Sequence, residues 1–325
     1  MPYDTPLKSE GVALGVDIGG TKVAAGLVDA NGHILYQTRV AMVSQEDAAA
    51  GFRCVAEAIR AVFAAWPEAR SVPIGICAPG PLDPRTGIVL NPPNVPCWQN
   101  FPLAAEVRKT FDLFARVDND ANAAALAEAV WGAGVGYENI FYATLGTGIG
   151  TGIVFHQRIY HGRTGSAAEG GHLSIDYRGP RCGCGKRGCV EVFCSGPAIA
   201  RRARERLAET DRASSKLLDL CAGNPERLTA ENVAEAFHMG DALAAEVLNT
   251  TSDLLAVWLG NVIDLLEPDV IVIGGGLVQL MSAFFERILA RLPVWSINPR
   301  CAEIPLLRAR YGAEAGIAGA AALCR

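Results

Sequence analysis

The apolar residues near the start of the chain fall in two short runs separated by glycine. Residues 12–17 predict a buried strand, Gly19-Gly20-Thr21 a tight turn, and residues 23–28 a second strand that ends at Asn31-Gly32. Because Gly-Thr-Lys reverses the end of a Walker phosphate loop, and a strand rather than a helix follows, the turn is not a P-loop. It is either a plain hairpin or one whose backbone N–H groups bind an anion, with Asp17 able to reach magnesium through water.

The same arrangement returns in the middle of the chain. Residues 140–144 form an apolar run, the glycine-rich segment 145–152 follows, and residues 153–155 are apolar again. A third cluster, Gly274-Gly275-Gly276, ends another apolar run before a helical segment. Gln279 stands where a dinucleotide-binding fingerprint needs its last glycine, so that fingerprint is absent. Each cluster is either an ordinary turn or a place where the backbone approaches a ligand closely.

The rest of the chain shows helical or strand spacing. The predicted helices cover residues 52–66, 121–131, 197–207, 233–237, 242–266, 277–292 and 312–323, and further strands cover 74–78 and 113–117. The helix at 197–207 carries four arginines, a pattern that predicts a solvated basic face. The 74–78 strand ends at Pro79-Gly80-Pro81, whose backbone is free to line a cleft because it cannot extend a helix.

Polar residues occupy the predicted strand-to-helix turn at Asp118-Asn119-Asp120. Asn119 or Asp120 can serve as a helix cap. A carboxylate at a helix start is also well placed to act as a general base, because the helix dipole favours its ionised form. Both interpretations remain open from the residues alone.

Cysteine and histidine cluster in the segment 165–196. Cys182, Cys184 and Cys189 follow His172 with a C-x-C-x4-C spacing and glycines between the thiols. One imidazole and three thiolates suit a tetrahedral Zn²⁺, which is structural because no position remains for water. The alternative is three buried or disulfide-prone cysteines beside an unrelated histidine.

Two glutamates flank this cluster. Glu169 precedes His172 by three residues, and Glu191 follows Cys189 by two. In a rigid frame their carboxylates suit the hydroxyls of a polar ligand such as a sugar. Otherwise they are solvated surface residues.

Composition narrows the classes of protein. The 325 residues suit two domains, and a net charge of −5 without a basic block argues against nucleic acid as a partner. The N-terminal ten residues show no signal sequence, and no run reaches the ~18 to 20 apolar residues that span a bilayer, so a cytoplasmic protein is expected. The ten cysteines are expected to be reduced.

The string GHLSIDYRGPRCGCGKRGCVE resembles the signature of the ROK family of bacterial sugar kinases and sugar-responsive repressors. The resemblance extends from Leu14 to the final helix. It implies an α/β, two-domain actin-like ATPase (ribonuclease H-like) fold with a zinc knuckle inserted in the second domain. The first domain is then residues 1–118 with the C-terminal helix 312–325, and the second is residues 119–311.

The resemblance also implies the chemistry. Asp120 is then the base that removes the proton of the 6-hydroxyl of glucose as it attacks the γ-phosphate of ATP. The implied sugar contacts are Gly80, Asn94, Asn119, Asp120, Glu169, His172 and Glu191. The implied contacts to ATP and Mg²⁺ are Asp17, Gly19, Gly20, Thr21, Lys22, Gly146, Thr147, Gly148, Gly275 and Gly276. The implied ligands of a structural Zn²⁺ are His172, Cys182, Cys184 and Cys189.

Three alternatives accompany this expectation. N-acetylmannosamine and N-acetylglucosamine kinases share the same residues, and the spacing does not show the room around the second carbon of the sugar. A repressor needs a helix-turn-helix domain, for which the residues ahead of the first strand are too few. A zinc hydrolase needs an open metal position. A homodimer or homotetramer is expected from the family, without a sequence feature that selects one.

Overall fold

The computed structural model describes residues 11–209 and 215–325. The N-terminal segment for which no signal sequence is expected lies outside the described residues. The strands are Ala13–Ile18 (β1), Lys22–Val28 (β2), Ile34–Ala41 (β3), Ile74–Ala78 (β4), Leu82–Asp83 (β5), Ile88–Val89 (β6), Ala115–Asn119 (β7), Asn139–Leu145 (β8), Ile149–Phe155 (β9), Arg158–Ile159 (β10), Val270–Gly274 (β11) and Leu306–Arg308 (β12).

The α-helices lie between groups of these strands, and five of them follow one another between β10 and β11. They are Ala48–Ala65 (α1), Leu103–Phe111 (α2), Asp120–Trp131 (α3), Glu191–Cys194 (α4), Gly196–Glu209 (α5), Lys216–Leu220 (α6), Ala230–His238 (α7), Ala242–Leu266 (α8), Val278–Met281 (α9), Phe285–Trp295 (α10) and Ala315–Ala322 (α11). In the part of the chain that is described, no helix is both long and apolar enough to cross a bilayer.

The chain divides into two units. One contains the described residues up to Tyr142, with Gly152–Ala168 and Ala309–Arg325, and the other contains Ala143–Thr151 and Glu169–Arg308. This grouping differs from a division after residue 118, because α3 falls in the first unit. Its packing against α11 is the physical reason.

The first unit is built on a five-stranded sheet of order β3-β2-β1-β4-β7, in which β1, β4 and β7 are parallel. One face packs on α1, through residues such as Val55 and Ile59, and the other packs on α3 and α11. Gly75 is required on the α11 face, since a Cβ there would lie 1.7 Å from the carbonyl oxygen of Ala320. The alanine-rich sequence of α11 therefore allows the helix to lie close against the sheet.

The other five-stranded sheet has the order β10-β9-β8-β11-β12, with β11 and β12 parallel. The boundary between the units falls within β8 and β9. In the second unit, α8 is the longest helix among the described residues, and it packs against α5 and α10. Its buried residues, Trp258 among them, place it at the centre of this unit.

Among the predicted elements two differ most from the observed ones, and β3 and α2 were not predicted. The helix expected over 277–292 is divided into α9, a short 3₁₀ turn and α10, and α10 continues to Trp295 with Pro293 inside it. The strand expected over 153–155 begins at Ile149, because glycines at 150 and 152 take extended conformations that the apolar pattern does not indicate.

Candidate functional site

The carboxyl ends of β4 and β7 bring three of the predicted sugar-binding residues together. Ala78 of β4 pairs with Asn119 of β7, so the turn after β4 adjoins the start of α3. A Cβ on Gly80 would lie 3.4 Å from the side-chain nitrogen of Asn119. The Asn119 side chain is the cap of α3, since its Oδ1 accepts from the N–H of Ala121 at 2.9 Å. The carboxylate of Asp120 begins the helix and is exposed.

The first glycine turn lies against Asn94, one of the implied sugar contacts. The N–H of Gly19 donates to the carbonyl of Lys22 at 2.9 Å, which closes the turn between β1 and β2. A Cβ on Gly20 would lie 2.5 Å from the carbonyl oxygen of Asn94, so only glycine fits. Thr21 and Lys22 are exposed beside it. The structure therefore brings these two predicted ligand-binding segments into contact.

Asp17 lies one residue before the end of β1, beside two groups that the sequence did not indicate. The thiol of Cys77 donates to its Oδ1 at 3.3 Å. A side chain at Gly316 would meet the carboxyl group at 2.3 Å. Burial raises the pKa of Asp17, and the hydrogen bond from Cys77 and the charge of Lys22 offset part of that increase. Because ionisation of this buried carboxyl group is costly, a cation near it would stabilise the charged form.

The predicted zinc ligands converge in the second unit. The candidate ligand atoms of His172, Cys182, Cys184 and Cys189 all lie within 4.8 Å of one another. Cys182 Sγ is 3.6 Å from His172 Nδ1, and Cys184 Sγ is 3.7 Å from Cys189 Sγ. A tetrahedral Zn²⁺ with bonds of about 2.0–2.3 Å separates its ligands by roughly 3.5–3.8 Å. The residues therefore fit the ion.

The backbone of the knuckle explains its glycines. Gly185 and Gly188 have φ of 91° and 66°, in the left-handed region that favours glycine. Burial raises the pKa of the Cys189 thiol to about 12. Since a thiolate is the form that binds metal, a cation at this position would supply the charge compensation that the protein groups do not.

The two predicted carboxylates of this segment differ in environment. Glu191 is half-buried at the start of α4, and its Oε2 accepts from the N–H of Ile149 at 2.9 Å. Its Oε1 lies 3.9 Å from His172 Nδ1. Glu169 is exposed. The knuckle thus fixes Glu191 near the glycine turn that precedes β9.

The second and third glycine clusters adjoin each other. Gly275 has φ of 85°, and a Cβ there would lie 2.3 Å from the carbonyl oxygen of Leu145. The N–H of Gly196 donates to the carbonyl of Gly146 at 2.8 Å. The turn at Gly146-Thr147-Gly148 therefore meets the strand-to-helix turn at Gly275-Gly276.

These turns form part of the wall of a cavity of about 670 Å³ in the second unit. Its lining residues are Gly146, Thr147, Gly196, Pro197, Ala200, Arg204, Leu228, Thr229, Ala230, Glu231, Gly276 and Leu277. The volume lies in the range of small-molecule sites, about 300–1,000 Å³. A ligand of nucleotide size fits this space.

Sequence reasoning missed the polar residues of this cavity. Arg204 belongs to the basic run that was interpreted as a solvated face, yet its side chain lines the cavity and donates to the carbonyl of Leu228 at 3.4 Å. Glu231 lies in the first turn of α7, and a hydrogen bond with the hydroxyl of Thr229 lowers the pKa of its carboxyl group. The charges along the sequence did not identify Arg204 and Glu231 as cavity residues. The spacing of residues on a helix does not show which face of that helix packs against another element.

Two α/β units, each with a glycine turn between antiparallel strands, define the actin-like ATPase class of fold. The ROK family model matches residues 13–325, and the chain belongs to the ROK family. The glucokinase of Thermotoga maritima is 35% identical over 96% of this chain and 96% of its own length. An N-acetyl-D-glucosamine kinase of Escherichia coli is 32% identical over 95% of this chain and 98% of its own length.

Solved structures agree with this assignment. A ROK family glucokinase from Streptomyces griseus, in complex with glucose and AMPPNP, superposes with a TM-score of 0.80 and 34% identity. The match covers 96% of this chain and 99% of that one. The family and the fold expected from the sequence are confirmed.

Proposed function

We propose that this protein is an ATP-dependent kinase that phosphorylates the 6-hydroxyl of glucose. The observation that carries the proposal is the near full-length match to a glucokinase structure that holds glucose and the ATP analogue AMPPNP. The geometry of the β7–α3 turn supports it, since an exposed carboxylate at a helix start is a suitable general base.

In the proposed reaction Asp120 accepts the proton of the sugar hydroxyl. The hydroxyl oxygen forms a bond to the γ-phosphorus of ATP, the bond from that phosphorus to the bridging oxygen breaks, and ADP leaves. A general base of this kind contributes roughly 10²–10⁴ in rate, and positioning and charge neutralisation supply the remainder.

The other sugar contacts are proposed for each unit separately. In the first unit they are Gly80, Asn94 and Asn119, and their support is the contact between Gly80 and Asn119. In the second unit they are Glu169, His172 and Glu191. Because His172 directs Nδ1 toward Cys182, its Nε2 remains for a sugar hydroxyl.

The phosphate groups are proposed to meet the glycine turns. In the first unit these contacts are Gly19, Gly20, Thr21 and Lys22. In the second unit they are Gly146, Thr147, Gly148, Gly275 and Gly276, and the cavity that several of these residues line supports binding of the adenosine part of ATP there. Mg²⁺ is proposed near Asp17, where it would neutralise phosphate charge.

Zn²⁺ is proposed as a structural ion held by His172, Cys182, Cys184 and Cys189. The spacing of their ligand atoms supports this assignment. The ion would fix the backbone that carries Glu191. A homodimer or homotetramer remains a prediction, which light scattering on the purified protein would test.

The test is ATP consumption by the purified protein with Mg²⁺ and glucose, mannose, fructose, N-acetylglucosamine or N-acetylmannosamine. We expect the highest kcat/KM with glucose. The relatives that are N-acetyl-D-glucosamine kinases support an alternative, which a preference for that sugar would establish. Absence of turnover with every sugar would refute the kinase assignment.

The proposed base has its own test. Asp120→Asn should bind glucose but lose about 10²–10⁴ in kcat, because the amide no longer accepts a proton. Asp47→Asn is the matched control, since Asp47 also begins a helix and accepts from the N–H of Ala50. Retention of most activity by Asp120→Asn would reject the role.

A further inference from the structure

A hydrogen-bonded pair of a histidine and a buried carboxylate lies beside the proposed base, with the carboxylate two residues before it in sequence. Asp118 is the penultimate residue of β7, and its side chain is 1% exposed. His161 follows β10, and its side chain is 19% exposed. The distance from His161 Nε2 to Asp118 Oδ2 is 2.6 Å. Because a carboxylate only accepts, Nε2 carries the proton, and the short distance is that of a charge-assisted hydrogen bond.

The second oxygen of Asp118 joins the strand to the helix. Its Oδ1 accepts from the backbone N–H of Asn119 at 2.7 Å and from the side-chain nitrogen of Asn122 at 3.0 Å. Asn122 belongs to the first turn of α3 and is buried. One carboxylate therefore fixes the peptide group that enters the helix and a side chain of its first turn.

The position of Asp120 depends on this junction. The side chain of Asn119 caps α3, and Oδ1 of Asp120 accepts from the N–H of Ala121 at 2.8 Å. The Asp120 carboxylate is exposed, and the hydrogen bond that it accepts from the N–H of Ala121 ties its direction to the first turn of α3. A shift of the junction by a fraction of an ångström would move the carboxylate away from a substrate hydroxyl.

We propose that His161 and Asp118 form a positioning pair that holds the β7–α3 junction and so aims the Asp120 carboxylate at the sugar hydroxyl. His161 acts through Asp118 and does not exchange a proton with substrate. The inference rests on the proposed kinase function. It adds a residue that follows β10, 43 positions after Asp118, to the parts that the reaction requires.

Two substitutions of His161 separate the effect of the lost hydrogen bond from the effect of side-chain volume. His161→Gln retains a side-chain N–H near the position of Nε2, whereas His161→Leu keeps an apolar volume and removes the donor. We expect His161→Leu to lower kcat by about 10- to 100-fold with little change in the KM for glucose, because misplacement of a catalytic group acts on the transition state. We expect His161→Gln to remain within about 3-fold of the wild type.

The matched control is His33→Leu. His33 forms a pair with Asp29 at 3.2 Å, but its side chain is 62% exposed. Exposed pairs of this kind contribute little, so kcat should not change. Asp118→Asn is a second perturbation of the same pair. It retains the shape of the side chain and should lower kcat even if His161→Leu does not fold.

A structural readout accompanies the kinetics. Amide hydrogen exchange at Ala121 and Asn122 should be faster in His161→Leu than in the wild type and should be restored in His161→Gln. Equal exchange and equal kcat in all three proteins would overturn the positioning role. A parallel loss in both variants would also overturn it, because a retained donor would then not matter.

Different results would refute the proposed kinase function and the positioning role of His161. A wild-type protein without turnover on any hexose would refute the proposed function and this inference with it. A wild-type protein with turnover, together with an active His161→Leu variant, would overturn the inference alone.

Discussion

The buried carboxylate of Glu128 joins the end of α3 to the segment that leads into α11. Glu128 is 1% exposed. Its Oε1 accepts from the N–H groups of Arg310 and Tyr311 at 2.8 and 3.1 Å, and its Oε2 accepts from the N–H of Ala133 at 2.8 Å. Three backbone donors from two segments that are distant in sequence thus depend on one side chain. We predict that Glu128→Gln destabilises the first unit.

The magnitude follows from these three bonds. The amide oxygen of glutamine can keep the two donors of residues 310 and 311, but its NH₂ group then faces the N–H of Ala133. The lost bond to a charged acceptor costs about 1.5–3 kcal/mol. The two remaining bonds lose their charged acceptor, at a cost of a few tenths to roughly 1 kcal/mol each. The sum is about 3 kcal/mol, which corresponds to a urea midpoint lower by about 1 M for a slope near 3 kcal/mol/M.

Urea denaturation followed by tryptophan fluorescence measures the effect of Glu128→Gln, and hydrogen exchange locates it. Exchange should increase at residues 133 and 309–311. Glu57→Gln, an exposed glutamate of α1, is the matched control and should leave the midpoint unchanged. A Glu128→Gln protein with the wild-type midpoint and wild-type exchange at residue 133 would refute the reasoning.

Two further predictions concern the candidate ligand sites. Because burial raises the pKa of Asp17, the folded protein binds more protons than the unfolded chain between the ordinary pKa of 3.8 and the raised folded pKa, and the contribution of this group to stability falls as pH rises through that window. Ligand-free Asp17→Asn should therefore melt at a higher temperature than the wild type at pH 7, with the difference shrinking toward pH 4; a difference independent of pH would contradict this. Elemental analysis should find about one zinc per chain in the wild type and less in Cys184→Ser. The thermal stability of Cys184→Ser should no longer respond to chelators. A wild-type protein that is active without metal would refute the zinc site.

Features that depend on residues close to one another in the chain could be predicted from the sequence. The candidate zinc ligands span only eighteen positions, and the positive φ of Gly185 and Gly188 agrees with the tight backbone that such a site requires. The strand β4 and the helix α8 have the bounds that apolar spacing predicts, because β4 is buried at every residue and α8 has one face of buried residues over most of its length. The turn at Gly20 was also predicted, although not the carbonyl of Asn94 that excludes a Cβ there.

Residues whose partners are distant in sequence were not predicted. His161 meets Asp118 across 43 positions, and Glu128 meets Tyr311 across 183. Nothing in the residues around them marks these contacts, since each depends on how strands and helices pack. The same holds for Arg204, whose helix was predicted but whose cavity forms only where α5 and α7 meet the glycine turns.

The contacts that the sequence did not predict are also those that hold the helix of the proposed general base in place. The turn Asp118-Asn119-Asp120 identifies a candidate base, but the sequence also permits a plain cap, and Asn119 is in fact the cap. A base that is held in position differs from a plain cap in the contacts that fix its helix. Here these contacts include the His161–Asp118 pair at the start of α3 and Glu128 near its end. Because both of these groups fix the helix that begins at Asp120, variants at either should alter the same helix. Variants at the pair should in addition lower the kcat of the folded protein, because Asp118 lies two residues before the proposed base.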